Sequence, residues 1–247
     1  RTVHYGPFGS AFLDALRGRA GAAWRPEHAT AWRRAYDFVA QVMSTAADSD
    51  LGAPPYVRAT VVHHELRRPD LAVLHVEPAE PYPYVAGQYA TVESPRLPHS
   101  WRSYTIANAP AEPALLELHV RATGSGRLSD VLVHQTRVGD ELRLGPARGG
   151  VTLAPVSGNG VLLVAGGTGL ALAKALFTEL ARQANPPAPW LFFGARTRED
   201  LYDREDLIRR AAQYPWLRLV FTVTDGAFVG SPGEAYLYEA GTVVDAV

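Results

Sequence analysis

Trp101-Arg102-Ser103-Tyr104-Thr105-Ile106-Ala107-Asn108-Ala109-Pro110 sets a guanidinium, a phenol and a hydroxyl within four residues. Its residues favour a strand, and a Pro-rich loop before Trp101 and Pro110 after it mark the ends. In a strand, Arg102 and Tyr104 share one face and Ser103 and Thr105 the other. A guanidinium fork suits a diphosphate, an aromatic can lie along a flat ring, and a hydroxyl can meet a ring nitrogen. Alone, the stretch reads more readily as a surface strand whose Arg, Tyr and Thr bind nothing.

Gly87-Gln88-Tyr89 precedes this stretch, and Gly126-Arg127-Leu128-Ser129, Gly166-Gly167-Thr168-Gly169 and Gly194-Ala195-Arg196 follow it. Each piece is weak by itself. Together with Arg102-Ser103-Tyr104-Thr105, and in this order, they resemble the cofactor-binding pattern of the ferredoxin–NADP reductase superfamily. The resemblance implies an oxidoreductase that binds FAD and NAD(P)H. It places Arg102 and Ser129 on the flavin diphosphate and Tyr104 and Thr105 at the flavin ring, with Thr105 near the nitrogen that accepts the hydride. Gln88, Ser103 and Gly126 are further flavin contacts. Gly166, Gly167, Thr168, Gly169 and Arg196 face the nicotinamide coenzyme.

The residues themselves leave alternatives open. Gly126 to His134 reads as a short helix after a glycine turn, and the amides at such a start form an anion site. A plain turn and a capped helix account for the same residues. The Gly166–Gly169 turn can bring backbone against a diphosphate. Leu172 stands where the Gly-x-Gly-x-x-Gly fingerprint has its last glycine, and no Gly-Lys pair makes a Walker loop. Arg196, at the end of the next strand, lies where an acidic residue often holds the ribose of NAD. An arginine there can accommodate a 2′-phosphate, as could Arg198, or both are solvated loop residues.

Composition narrows the class. The 247 residues carry a formal net charge of −1, against a general nucleic-acid binder. Apolar runs such as Val161–Ala165 are too short to span a bilayer. With no cysteine, neither a disulfide framework nor a thiolate-ligated iron–sulfur cluster can form within these residues. The eight histidines show no helical i, i+4 pair, and adjacent His63 and His64 point to opposite faces of a strand, so no metal site is expected.

Taken in order, helical spacing marks Phe8–Arg17 and a second helix from Pro26 to about Met43, with Ala29, Trp32, Tyr36, Val39 and Met43 as its stripe. Two such helices cannot bury both stripes against each other alone. Ser44–Pro55 reads as a linker. Short β segments follow at Val57–His64, Leu71–Glu77, Tyr89–Glu93, Ser103–Ala107, Leu115–Arg121 and Glu141–Leu144, as in an antiparallel barrel. From Gly160 the pattern alternates: strand Gly160–Ala165 buried on both faces, helix Leu170–Arg182, strand Trp190–Gly194, helix Glu199–Tyr214, strand Leu217–Thr224 and a helix from about Thr242.

His4-Tyr5, the Gly9 turn and Ala31-Trp32…Ala35-Tyr36 resemble the last two helices of the globin domain of a bacterial flavohaemoglobin. The expectation is a multidomain chain: globin-like helices over 1–47, an FAD-binding antiparallel β-barrel over 55–154, and an α/β doubly wound parallel sheet for NAD(P)H over 158–247, with further chain on both sides. The haem-ligating histidine then belongs to a helix before His4, and a Cys-Gly-Pro strand beside the nicotinamide follows Val247. The implied function is electron flow from NAD(P)H through FAD to a haem globin domain, with nitric oxide dioxygenase activity in a cytoplasmic enzyme. Two readings compete: a stand-alone flavin reductase serving a ferredoxin or oxygenase, and a flavin-binding module without turnover. Without a Gly-x-Ser-x-Gly elbow, a hydrolase is not expected.

Overall fold

The computed structural model describes residues 4–49, 55–124, 126–153, 160–225 and 236–246. They form two compact units, Arg1–Pro54 and Pro55–Val247.

In the first unit, α1 (Tyr5–Ala20) and α2 (Pro26–Ser49) are joined through a 3-10 turn at Gly21–Ala23. Pro26 opens α2 because its missing N–H has no partner in a first turn. Helix α2 runs six residues past Met43, into the stretch expected as linker; residues 50–54 of that linker lie outside the described residues. Where the helices meet, Gly9 lies against Tyr36, whose hydroxyl donates to the Tyr5 carbonyl at 2.6 Å. The Phe12 ring lies 6.1 Å from Tyr36 and 6.0 Å from Trp32. The rest of the apolar face stays open. Phe8, Trp32, Val39 and Met43 are exposed, and Gly9 is the only buried residue of α1.

In the second unit, β1 (Val57–Arg68), β2 (Leu71–Pro78), β3 (Tyr89–Glu93), β4 (Arg102–Thr105), β5 (Leu116–Arg121) and β6 (Glu141–Leu144) form a sheet of order β4-β3-β6-β1-β2-β5. All its pairings are antiparallel. Alternation builds it: Ala59 and Val61 point inward, while Arg58 and Thr60 point out. The sheet curls until Ile106, just past β4, bridges Leu118 of β5. Helix α3 (Leu128–His134) covers the core with Leu128, Leu132 and Val133. His64 bonds the Leu132 carbonyl at 2.9 Å, which fixes this histidine as a structural brace.

Strands β7 (Leu162–Gly166), β8 (Trp190–Ala195), β9 (Arg218–Val223) and β10 (Tyr236–Ala240) form a parallel sheet of order β10-β9-β8-β7. Each successive strand steps in the same direction. Right-handed crossovers therefore place α4 (Leu170–Leu180) and α5 (Arg204–Gln213) on the same face. Both helices join one core with Leu163, Leu191, Phe193, Leu219 and Phe221. Three expectations change here. Strand β7 is an edge strand with alternate residues exposed, Leu162 and Val164 among them, rather than buried on both faces. A fourth strand, β10, adds to the three expected. Residues 242–245 form a turn closed by Asp245 on the Thr242 amide and hydroxyl, and no helix follows among the described residues.

Candidate functional site

The quoted stretch becomes the edge strand β4, with Arg102 paired to Val92, Ser103 to Thr91, Tyr104 to Ala90 and Thr105 to Tyr89. Arg102 and Ser103 are exposed, and Tyr104 and Thr105 half-buried. Exposure thus runs along this edge strand instead of alternating, because the barrel closes at Ile106. The Arg102 guanidinium donates to the Trp101 carbonyl at 2.7 Å and keeps its remaining donors toward solvent. Burial pushes the Tyr104 phenol up to about 12, against the opposing pull of the Arg102 charge, so it remains a neutral donor. The Asp130 charge, in the first turn of α3, pushes it the same way as burial does.

At that start the Asp130 carboxylate accepts from the Gly124 amide at 3.0 Å and the Arg127 amide at 2.9 Å. The Arg127 amide of the expected anion site, like the Gly124 amide before it, is therefore already held by an internal carboxylate. Ser129 is buried, with its hydroxyl 3.2 Å from the Thr123 hydroxyl. Gln88 accepts from the Val85 amide and donates to the Gly149 carbonyl, bracing its own turn. In that turn Gly87 has φ +98°, and a Cβ would stand 1.9 Å from the Val151 carbonyl oxygen, so no other residue fits.

On the parallel sheet, β7 ends at Gly166, Gly167–Gly169 forms a 3-10 turn, and α4 begins at Leu170. A side chain at Gly126, Gly167 or Gly169 would meet nothing within 4 Å, so backbone at all three faces open space. Gly167 borders a cleft of about 680 Å³ lined also by Arg68, Asp70, Arg121, Ala195, Arg196 and Asp200. Arg196 is largely exposed, its Nε 3.7 Å from Asp225. Arg68 stands 3.3 Å from Asp200 and Arg121 3.7 Å from Asp70. Three guanidiniums and an open glycine turn fit the phosphates of a dinucleotide.

Residues 58–152 match the oxidoreductase FAD-binding domain family, and residues 163–246 match the oxidoreductase NAD-binding domain family. The chain is an FAD- and NAD-binding module of the ferredoxin reductase type. It is 30% identical over 170 residues to the ferredoxin–NAD(P)+ reductase component of the naphthalene 1,2-dioxygenase system of Pseudomonas putida, over 69% of this chain and 51% of that protein. It is 31% identical over 191 residues to reductase component 1 of terephthalate 1,2-dioxygenase of a Comamonas species, over 76% and 54%. The chain spans about half the length of the curated relatives it matches. Among solved structures, the Amycolatopsis cytochrome P450 reductase GcoB aligns with a TM-score of 0.65 at 30% identity, over 77% of this chain and 56% of that one. A flavohaemoglobin from Malassezia yamatoensis aligns with a TM-score of 0.77 at 19% identity, over 97% of this chain and 67% of that one, a likeness of fold.

The reductase module also contains groups that the motifs did not reveal. Arg68 and Arg121 reach the cleft from the flavin-domain sheet. Glu117, His119 and Asp203 converge closely enough to hold a cation, and the Lys174 amine stands among them, 2.8 Å from Glu117 and 2.5 Å from Asp203. The only sequence signal for this cluster is a lysine inside the otherwise apolar first half of α4.

Proposed function

We propose that this reductase module takes a hydride from a reduced nicotinamide coenzyme onto FAD and passes the electrons to a separate protein acceptor of an oxygenase system. The observation that carries the reading is the presence, in one compact unit, of the β4 edge with Arg102, Tyr104 and Thr105 and of the arginine-lined cleft at Gly167. The relatives support it: two with about 30% identity are reductase components of naphthalene and terephthalate dioxygenases.

FAD, when bound, supplies the conversion of a two-electron donor into one-electron output. The chain's own residues bind and orient. Arg102 offers charged donors to the flavin diphosphate, with Ser129 beside it. Tyr104, kept neutral by burial, would hold the ring system, with Ser103 and Gln88 as further contacts. The Thr105 hydroxyl would offer a hydrogen bond to the hydride-accepting nitrogen. Gly166, Gly167, Thr168 and Gly169 let backbone approach the coenzyme diphosphate, while Arg68, Arg121 and Arg196 supply charge around it. A hydride moves only across about 3–3.5 Å, so this arrangement contributes mainly orientation.

A second reading rests on the helical hairpin, which belongs to neither matched family segment and carries the open face of Phe8, Trp32, Val39 and Met43. The flavohaemoglobin fold match extends over this hairpin. In this reading the face packs on a haem globin domain, the acceptor is haem, and the activity is nitric oxide dioxygenation. The test is anaerobic mixing of the FAD-loaded protein with NADH or NADPH, followed by a one-electron acceptor protein. Bleaching of the flavin and stoichiometric acceptor reduction are expected. A flavin that neither coenzyme bleaches would overturn the function, and a haem absorption band in the full-length protein would select the second reading.

A further inference from the structure

Lys174 is buried, its side chain 5% exposed, near the middle of α4. Its amine touches both halves of the reductase unit. On the flavin-domain side it donates to Glu117 of β5 at 2.8 Å. On the coenzyme side it donates to Asp203 at 2.5 Å and lies 3.3 Å from Asp206, both at the start of α5. The carboxylates are themselves held. Glu117 accepts from His119 at 2.6 Å and lies 3.5 Å from His75. The other nitrogen of His119 meets the Tyr202 hydroxyl at 2.6 Å, and Arg67 approaches Asp203 at 3.6 Å.

An amine so far from water stays charged only with carboxylates around it, and those carboxylates stay ionised only with the amine. Each arm thus requires the others to be in place. Beside the cluster, Ala86 and Ala109 of the flavin domain pack on Ala175 of α4, so small side chains allow close approach while the charges define one position. Lys174 lies five residues beyond Gly169, roughly 7.5 Å along the helix. A slip at the amine therefore displaces the glycine turn by a comparable amount.

We infer that Lys174 is a positioning residue for hydride transfer: its bonds to Glu117 and Asp203 fix the coenzyme-binding turn at one distance and angle from the flavin sheet. This rests on the reductase reading above. Because a misplacement of about 1 Å can cost on the order of a hundredfold in rate, the latch acts on the limiting rate of flavin reduction, more than on coenzyme affinity.

The test compares the FAD-loaded parent with Lys174→Met and Glu117→Gln by rapid mixing over a range of NADH and NADPH concentrations. Lys174→Met is expected to lower the limiting rate about 10- to 100-fold while changing the coenzyme dissociation constant less than about threefold. Glu117→Gln, which leaves the amine two carboxylates, should lose less and carries the test if Lys174→Met fails to fold. The double variant should be no slower than Lys174→Met. Amide exchange gives a readout besides turnover: protection in β5 and in the first turn of α5 should fall together in either variant. Folded variants that reduce flavin at the parent's limiting rate would overturn the inference, as would a loss entirely in coenzyme affinity, or loosening of α5 with β5 as protected as before. A parent that takes no hydride from either coenzyme overturns the function and this inference with it; a competent parent with unaffected variants overturns only the latch.

Discussion

Arg102 has one internal acceptor, the Trp101 carbonyl, and otherwise faces solvent from a strand edge. Little of its cost of ordering is recovered inside the protein, so its value lies in a ligand. Arg102→Ala should weaken FAD binding roughly ten- to a hundredfold, the worth of one charge-assisted contact, with little change in folding stability. Flavin titration of the apoprotein checks this, and a variant that holds FAD through dialysis as the parent does would remove Arg102 from the site. The cleft arginines separate by position. Arg196, at the tip of β8 and largely exposed, should discriminate: Arg196→Ala should raise the KM for NADPH at least tenfold and that for NADH less than about threefold. Equal effects on both coenzymes would return it to the solvated loop. The strand at Arg102–Thr105 and the turn at Gly167–Gly169 were legible because local residue preferences and glycine record them in neighbouring positions of the chain. Lys174 and its partners were not, since Glu117 lies 57 residues before it and Asp203 29 after it, and no local pattern records such pairs. The Asp130 carboxylate at the α3 turn escaped for a different reason: a glycine turn in sequence does not say which acceptor takes its amides.

At the level of elements, periodicity located nearly every helix and strand, because burial on one face imposes it whatever the partner is. Whether a strand is central or at an edge is decided by topology alone. Whether a face is covered is likewise decided by packing: the apolar run at β7 read as buried on both faces, whereas among the described residues Leu162 and Val164 are exposed and β7 stands at the sheet edge. In the hairpin, the α1–α2 contact depends on Gly9, where a Cβ would lie 2.4 Å from the Tyr36 ring. Gly9→Ala must push the helices apart or turn Tyr36 off the Tyr5 carbonyl. The gain in helix propensity is at most about 1 kcal/mol, and overpacking costs about 1–3 kcal/mol, so net loss of hairpin stability is expected. Amide exchange in α1 and α2 would check this; protection equal to the parent's would mean that the Tyr36 ring yields to the added methyl without cost.

Across the whole reductase unit, the buried charge cluster ties stability to pH, and the sign follows from which form folding favours. The His119 and His75 hydrogen bonds and the Lys174 charge hold Glu117 well below the usual carboxylate range, even though burial opposes them. Lys174 and Arg210 bring Asp206 down to about 2, again against burial. A depressed carboxylate contributes stability that is complete above its unfolded pKa, near 4, and is lost as pH falls toward the folded value. Lys174 is raised by Glu117, Asp203 and Asp206 despite desolvation, so its share is complete below the ordinary lysine range and disappears as pH rises above it. Between these limits the cluster should give a plateau. On the acid side, Glu117 stays ionised in the folded protein while the unfolded chain takes up a proton, which tilts stability by about 1.4 kcal/mol per pH unit for that one group. Glu117→Gln removes this titration. The stability gap between parent and Glu117→Gln, measured by urea unfolding, should therefore be followed below about pH 5, where Glu117 of the unfolded chain takes up its proton. It should then close by on the order of 2 kcal/mol as pH falls from about 4 to 2. Two curves that stay parallel down to pH 2 would mean that Glu117 protonates as readily folded as unfolded, and that the amine between the two sheets is not held by a charged partner on the flavin side.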